Sequence, residues 1–136
     1  MPAKENQPLR GATEARIHTP LHKGKSEMQA VADLADLIQK PLLPWQRWVL
    51  DDFLAVDEKN EYRRRTGVTM VARQNGKTHL ARMLILYKLL QGKRVLAMSS
   101  NRNMALDTFS QTAALFEEND FLKDQVKSIQ IGRAHV

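Results

Sequence analysis

The sequence predicts an α/β fold: a parallel sheet with flanking helices, cut short, behind a disordered N-terminal tail. Three observations lead there. A short β-branched apolar run at 68–71 feeds a turn ending in Gly76-Lys77-Thr78, an apolar segment over 79–90 follows directly, and a second apolar run at 94–98 follows Gly92. The order strand, turn, helix, strand, helix implies parallel strands joined by right-handed crossovers.

Taken in order, residues 1–25 carry Pro2, Pro8 and Pro20, scattered charge and no sustained periodicity, and are expected to be a mobile basic tail. Ser26 then opens a helix, with Gln29 completing a capping-box pattern. Val31, Leu34, Leu37 and Ile38 recur at helical spacing and mark its expected buried face, and Pro41 stops it. Pro44 suits the first turn of a second helix, expected over 44–54, which places Trp45, Trp48, Val49 and Phe53 on one face. The polar stretch 57–65 reads as a connection. After the strand at 68–71, the helix over 79–90 is apolar nearly all round and is expected to pack on both sides, ending at Gly92. A strand over 94–98, a cap cluster at Ser99-Ser100-Asn101 and a helix over 102–118 complete the pattern, the last burying Ala105, Phe109, Thr112, Ala113 and Phe116.

Composition excludes several chemistries. The 136 residues contain no cysteine, which rules out disulfides, thiolate metal sites and cysteine nucleophiles. A net charge of +6 permits a polyanionic partner without requiring one. Part of that excess lies in the tail, where Lys4, Arg10, Arg16, Lys23 and Lys25 outnumber Glu5 and Glu14. The N-terminus shows no apolar signal region and no run reaches the length of a membrane span, so a soluble cytoplasmic protein with no membrane partner is expected.

The chemistry concentrates at residues 71–78. A strand, a tight turn and a helix are how many proteins hold nucleotide phosphates: backbone N–H groups and the helix dipole face the anion. Lys77 supplies a point charge, and the Thr78 hydroxyl can hold Mg²⁺. The consensus first glycine is Val71 here. A second Gly-Lys-Ser, at Gly24-Lys25-Ser26, lacks an apolar strand before it, and Ser26 is better explained as a helix cap.

Together, Pro44-Trp45-Gln46-Arg47-Trp48-Val49-Leu50, Val71-Ala72-Arg73-Gln74-Asn75-Gly76-Lys77-Thr78 and Ala97-Met98-Ser99-Ser100-Asn101 resemble the large subunit of tailed-bacteriophage terminase. That family is the ATP-driven motor that packages DNA. The similarity covers roughly 43–116, and the family's loop departs from the usual first glycine in the same way. The resemblance implies a P-loop NTPase-type ATPase domain, of which 26–130 would be the N-terminal part, in a virus-encoded protein of the host cytoplasm. It implies ATP and Mg²⁺ as ligands. Trp45 and Gln46 would form the adenine-recognition motif, and Gln74, Asn75, Gly76, Lys77 and Thr78 the phosphate cradle. Thr78 would hold the metal, while Arg73 and Lys77 would act on the transferring phosphate. Ser99 and Ser100 would couple nucleotide state to DNA. The implied partners are duplex DNA, a small terminase subunit and a portal ring.

Hydrolysis in that family also needs a downstream strand ending in acids and a catalytic glutamate, and its nuclease needs a separate acidic domain. No apolar run ending in paired acids follows Phe116. Residues 131–136 resemble one frame of a sequencing-library adapter, so the natural chain is expected to continue past Gln130 and this fragment to lack turnover. Two alternatives stand beside this reading: another P-loop nucleic-acid motor such as a helicase, or a non-enzymatic DNA-binding module served by the basic tail. Arg63-Arg64-Arg65 could touch DNA phosphate, although a solvated strand entrance is the better explanation of that run.

Overall fold

The computed structural model of the chain describes residues 11–125; the adapter-like residues 131–136 lie outside that range. Five helices appear in order: α1 (Met28–Leu37), α2 (Pro44–Phe53), α3 (Lys77–Leu90), α4 (Arg102–Glu118) and α5 (Asp120–Lys123). Two compact units share them. The first comprises the described part of Met1–Gln29 with Leu42–Val68, and the second Ala30–Pro41 with the described part of Thr69–Val136.

The first unit is built on α2. Pro44 begins that helix, Leu43 is its N-cap, and Val49 and Leu50 are buried with Leu42, Leu54, Ala55 and Val56. Burying a side chain of this size stabilises by roughly 1.5–3 kcal/mol. Beyond α2 the backbone of 54–56 is held from both sides. Glu27 N–H donates to the Leu54 carbonyl (3.1 Å), Val56 N–H to that of Lys25 (3.0 Å) and Arg63 N–H to that of Ala55 (2.9 Å). These contacts make isolated antiparallel bridges, Ser26 with Ala55 and Val56 with Tyr62. Asp57 shapes the turn between them, its Oδ1 accepting the N–H groups of Lys59 (2.8 Å) and Glu61 (3.0 Å).

The second unit contains α3, α4, α5 and α1 from Ala30 onward. Its core is drawn from one face of each: Val31, Ala32, Ala35 and Ile38; Leu80, Met83 and Leu86; Leu115 and Phe116; and Leu122. Both α1 and α3 end in Schellman motifs. In α1, Gln39 takes the left-handed conformation (φ 60°), with Lys40 N–H on the Ala35 carbonyl (2.9 Å) and Gln39 N–H on that of Asp36 (3.0 Å). In α3, Gly92 (φ 74°) fills the same place, as expected for a glycine there.

The expected parallel sheet is absent among the described residues. Helix accounts for 48% of the structure and strand for none among the described residues, so the α/β prediction is corrected to a helical architecture with isolated bridges. The two runs read as strands lie in the open: Val68 is 78%, Met70 92%, Leu96 83% and Met98 82% exposed. The reason is physical. A helix closes its hydrogen bonds within its own segment, whereas a strand needs a neighbour and a parallel sheet needs cover on both faces. Two short runs meet neither need, and the helices form without them.

The expected helix faces hold in part. In α1 Val31 and Ile38 are buried as expected, joined by Ala32 and Ala35, while Leu37 is exposed. In α4 Thr112 and Phe116 are buried as expected, joined by Leu115, while Phe109 is exposed. The segment expected to be an unattached tail is anchored over 18–25. His18 packs edge-on against Trp48 (5.1 Å between ring centroids), and Arg64 donates to the Pro20 carbonyl (2.5 Å). His22 N–H donates to Asp52 Oδ1 (2.9 Å).

Candidate phosphate-binding loop

Residues 73–76 form a turn that runs directly into α3. Two left-handed residues curl it, Gln74 at φ 62° and Gly76 at φ 91°. Asn75 closes it from inside: its Nδ2 donates to the carbonyls of Ala72 and Arg73, both at 3.0 Å. Gly76 is the N-cap of α3 and, as a glycine, supplies no side-chain cap to that helix. At φ 91° a glycine is the residue that takes this conformation without strain. The N–H groups of a helix's first turn have no carbonyl within the helix to bind, and they carry the positive end of its dipole. Lys77 and Thr78 stand on that turn with exposed side chains, and Arg73 and Gln74 are exposed on the approach.

This donor set suits a phosphate group. It offers an ammonium, a guanidinium, a hydroxyl and helix-terminal N–H groups, with no carboxylate among residues 71–78. The Thr78 hydroxyl is the one side-chain oxygen of the stretch besides the Gln74 and Asn75 amides that could reach Mg²⁺. No group of three or more His, Asp or Glu side chains that could hold a metal occurs among the described residues.

Trp45 and Gln46 belong to the other unit. Gln46 is fully buried, and its Oε1 accepts the Leu43 N–H at 2.7 Å. This is the glutamine half of a capping box, fixing the start of α2. Trp45 is half-buried. Of the sequence-derived candidates, the structure therefore brings Arg73, Gln74, Asn75, Gly76, Lys77 and Thr78 together on one turn. Trp45 and Gln46 form a second locus. At 99–101, Asn101 is the N-cap of α4, accepting Met104 N–H at 2.8 Å, while Ser99 and Ser100 are exposed.

The arginine run is divided. Arg63 Nε donates to the Val56 carbonyl (3.3 Å), and Arg64 grips both oxygens of Asp52, through Nε (3.0 Å) and Nη2 (3.2 Å). Only Arg65 of the three has no such role among the described residues. Asp52 is buried. Burial alone would raise its carboxyl, but the His22 N–H and the Arg64 guanidinium outweigh that and hold it below the ordinary aspartate value. The pairing had no sequence signal beyond a buried-face position, because its members are far apart in the chain. In the second Gly-Lys-Ser, Lys25 is committed to Asn60 Oδ1 (2.5 Å) and Ser26 accepts the Met28 N–H (3.2 Å).

One further residue escaped the sequence reading. His79 directly follows Thr78, is half-buried, and its Nε2–H donates to the Lys40 carbonyl at 2.9 Å. Burial pushes its imidazole below the ordinary histidine value, with the Arg82 and Lys40 charges acting the same way and the backbone hydrogen bonds opposing them. No helix among the described residues is long and apolar enough to cross a membrane. Comparison of the chain with protein-family models, curated proteins and solved structures finds no match.

Proposed function

We propose that residues 73–78 bind the phosphates of ATP with Mg²⁺, and that the chain is the ATP-binding portion of a phage DNA-packaging motor. The observation that carries the first part is Gly76, left-handed at the start of α3 and without a side chain to cap it, with Lys77 and Thr78 exposed on the turn it opens. Lys77 holds the phosphate oxygens by charge, Thr78 offers an oxygen to the metal, and Arg73 is the cation for the terminal phosphate. The motor reading rests on the resemblance of Arg73-Gln74-Asn75-Gly76-Lys77-Thr78 and Trp45-Gln46 to terminase large subunits. Duplex DNA, a small terminase subunit and a portal ring are its partners under this reading, and ATP hydrolysis belongs to the whole motor.

Titrating the purified chain with a fluorescent ATP analogue and Mg²⁺ tests the binding. Replacing Lys77 with alanine removes a charged hydrogen-bond donor and weakens binding about 10- to 100-fold. Equal affinity of wild type and Lys77→Ala, or binding by neither, refutes the reading. Phosphate release is followed in the same samples. The expectation is binding without turnover, and Mg²⁺-dependent release lost on Lys77→Ala would overturn that part alone.

A further inference from the structure

We infer that His79 is a positioning residue for the loop of residues 73–78, an inference that rests on the phosphate-binding reading for its functional meaning. Among the described residues of this unit, no sheet ladder locates the loop from its N-terminal side. Met70 is exposed, as are Ala72 and Arg73, and Asn75 donates within the turn itself, to the Ala72 and Arg73 carbonyls. On the α3 side the loop has a long-range tie.

His79 supplies that tie. It follows Thr78 directly, and its Nε2–H reaches the Lys40 carbonyl across a separation of 39 residues. That carbonyl is itself held, because Lys40 closes the Schellman motif at the end of α1 through its N–H bond to Ala35. One turn further along α3, the Arg82 guanidinium donates to Gln111 Oε1 of α4, and Gln111 Nε2 in turn donates to Asp107 Oδ2 (2.9 Å). The first two turns of α3 are thus fixed at one point against the end of α1 and at another against α4. The aim of the Lys77 and Thr78 N–H groups follows the helix axis, so it follows these two clamps. Of the two, His79 is adjacent to the phosphate-facing residues. Its depressed basicity keeps the ring neutral, a single N–H donor that adds no charge beside Lys77.

Two substitutions separate positioning from bulk packing. His79→Leu keeps apolar volume and loses the donor, whereas His79→Gln keeps an amide N–H able to reach a carbonyl. Two readouts apply to the full chain. In nucleotide-free protein, amide hydrogen exchange over 80–83, the first bonded amides of α3 beginning with Leu80 N–H on the Gly76 carbonyl, is expected to quicken about 5- to 10-fold in His79→Leu and to return to the wild-type rate in His79→Gln. With the fluorescent ATP analogue and Mg²⁺, Kd is expected to rise about 5- to 10-fold in the leucine variant and to stay within about 2-fold in the glutamine variant. Should the leucine variant fail to fold, His79→Asn, too short to span the gap, takes its place. Unchanged exchange in the donor-less variant, or no recovery with glutamine, overturns the inference. A wild type that binds no nucleotide defeats the phosphate reading, and the exchange comparison still decides whether His79 holds the loop.

Discussion

At the start of α2, Gln46 turns its side-chain oxygen back onto the Leu43 N–H and is wholly buried. At the start of α3, Gly76 has no side chain with which to cap, and Lys77 and Thr78 face solvent. Both helices begin with polar residues of the proposed nucleotide-binding pattern, yet the two regions use them in opposite ways. In the first, the polar groups hold the fold. Gln46 caps its helix, and Asp52 farther along binds Arg64 and the His22 N–H. In the second, the fold holds the polar groups out. A side chain already satisfied inside must break a bond to serve a ligand, whereas an exposed one gives up only water. By this contrast the loop is the stronger binding candidate and Gln46 the stronger structural one.

The largest expected effect falls on Asp52. Asp52→Asn removes one partner of a largely buried pair and leaves Arg64 with a weaker acceptor, costing about 2 kcal/mol in urea unfolding after allowance for partial solvent access. The pH dependence has a defined sign. Because the folded carboxyl titrates below its ordinary 3.8, its contribution is present above that value and is lost as pH falls through the lower folded value. Acid unfolding of the variant should therefore lose part of this dependence. Matching acid and urea curves would mean that the clasp is idle. Next comes Gln46→Ala, expected to cost about 1–2 kcal/mol through the lost cap and packing. Unchanged stability with weakened ATP-analogue binding would move Gln46 from the structural region to the ligand-binding one. Smallest are Arg73→Ala and Lys77→Ala, expected to change unfolding free energy by less than about 0.5 kcal/mol because both side chains are exposed. A large loss of stability there would erase the contrast.

What could be read from the sequence followed how local each interaction is. Pro44 and the apolar spacing marked α2, Gly92 marked the end of α3, and the bounds of α4 agree with those expected, since caps and helical hydrogen bonds lie within a few residues. The face of α1 was right at Val31 and Ile38 and wrong at Leu37, because that large residue is exposed while the small Ala32 and Ala35 are buried. The sheet was misjudged because β-branched runs such as 68–71 indicate readiness to pair, and pairing depends on a partner that local sequence does not reveal. The loop's residues were legible from their order alone. The Asp52–Arg64 clasp and the His79–Lys40 tie were not, since each joins groups whose separation follows no periodicity.

The most direct test is to assign the backbone amides of the chain by NMR and add Mg²⁺ with ATP. The account predicts that the largest shifts fall on Gly76, Lys77 and Thr78 and vanish in Lys77→Ala, while the Leu43 amide bonded to Gln46 stays put. Shifts centred on 43–46 with the loop silent, or no shifts at all, would contradict it.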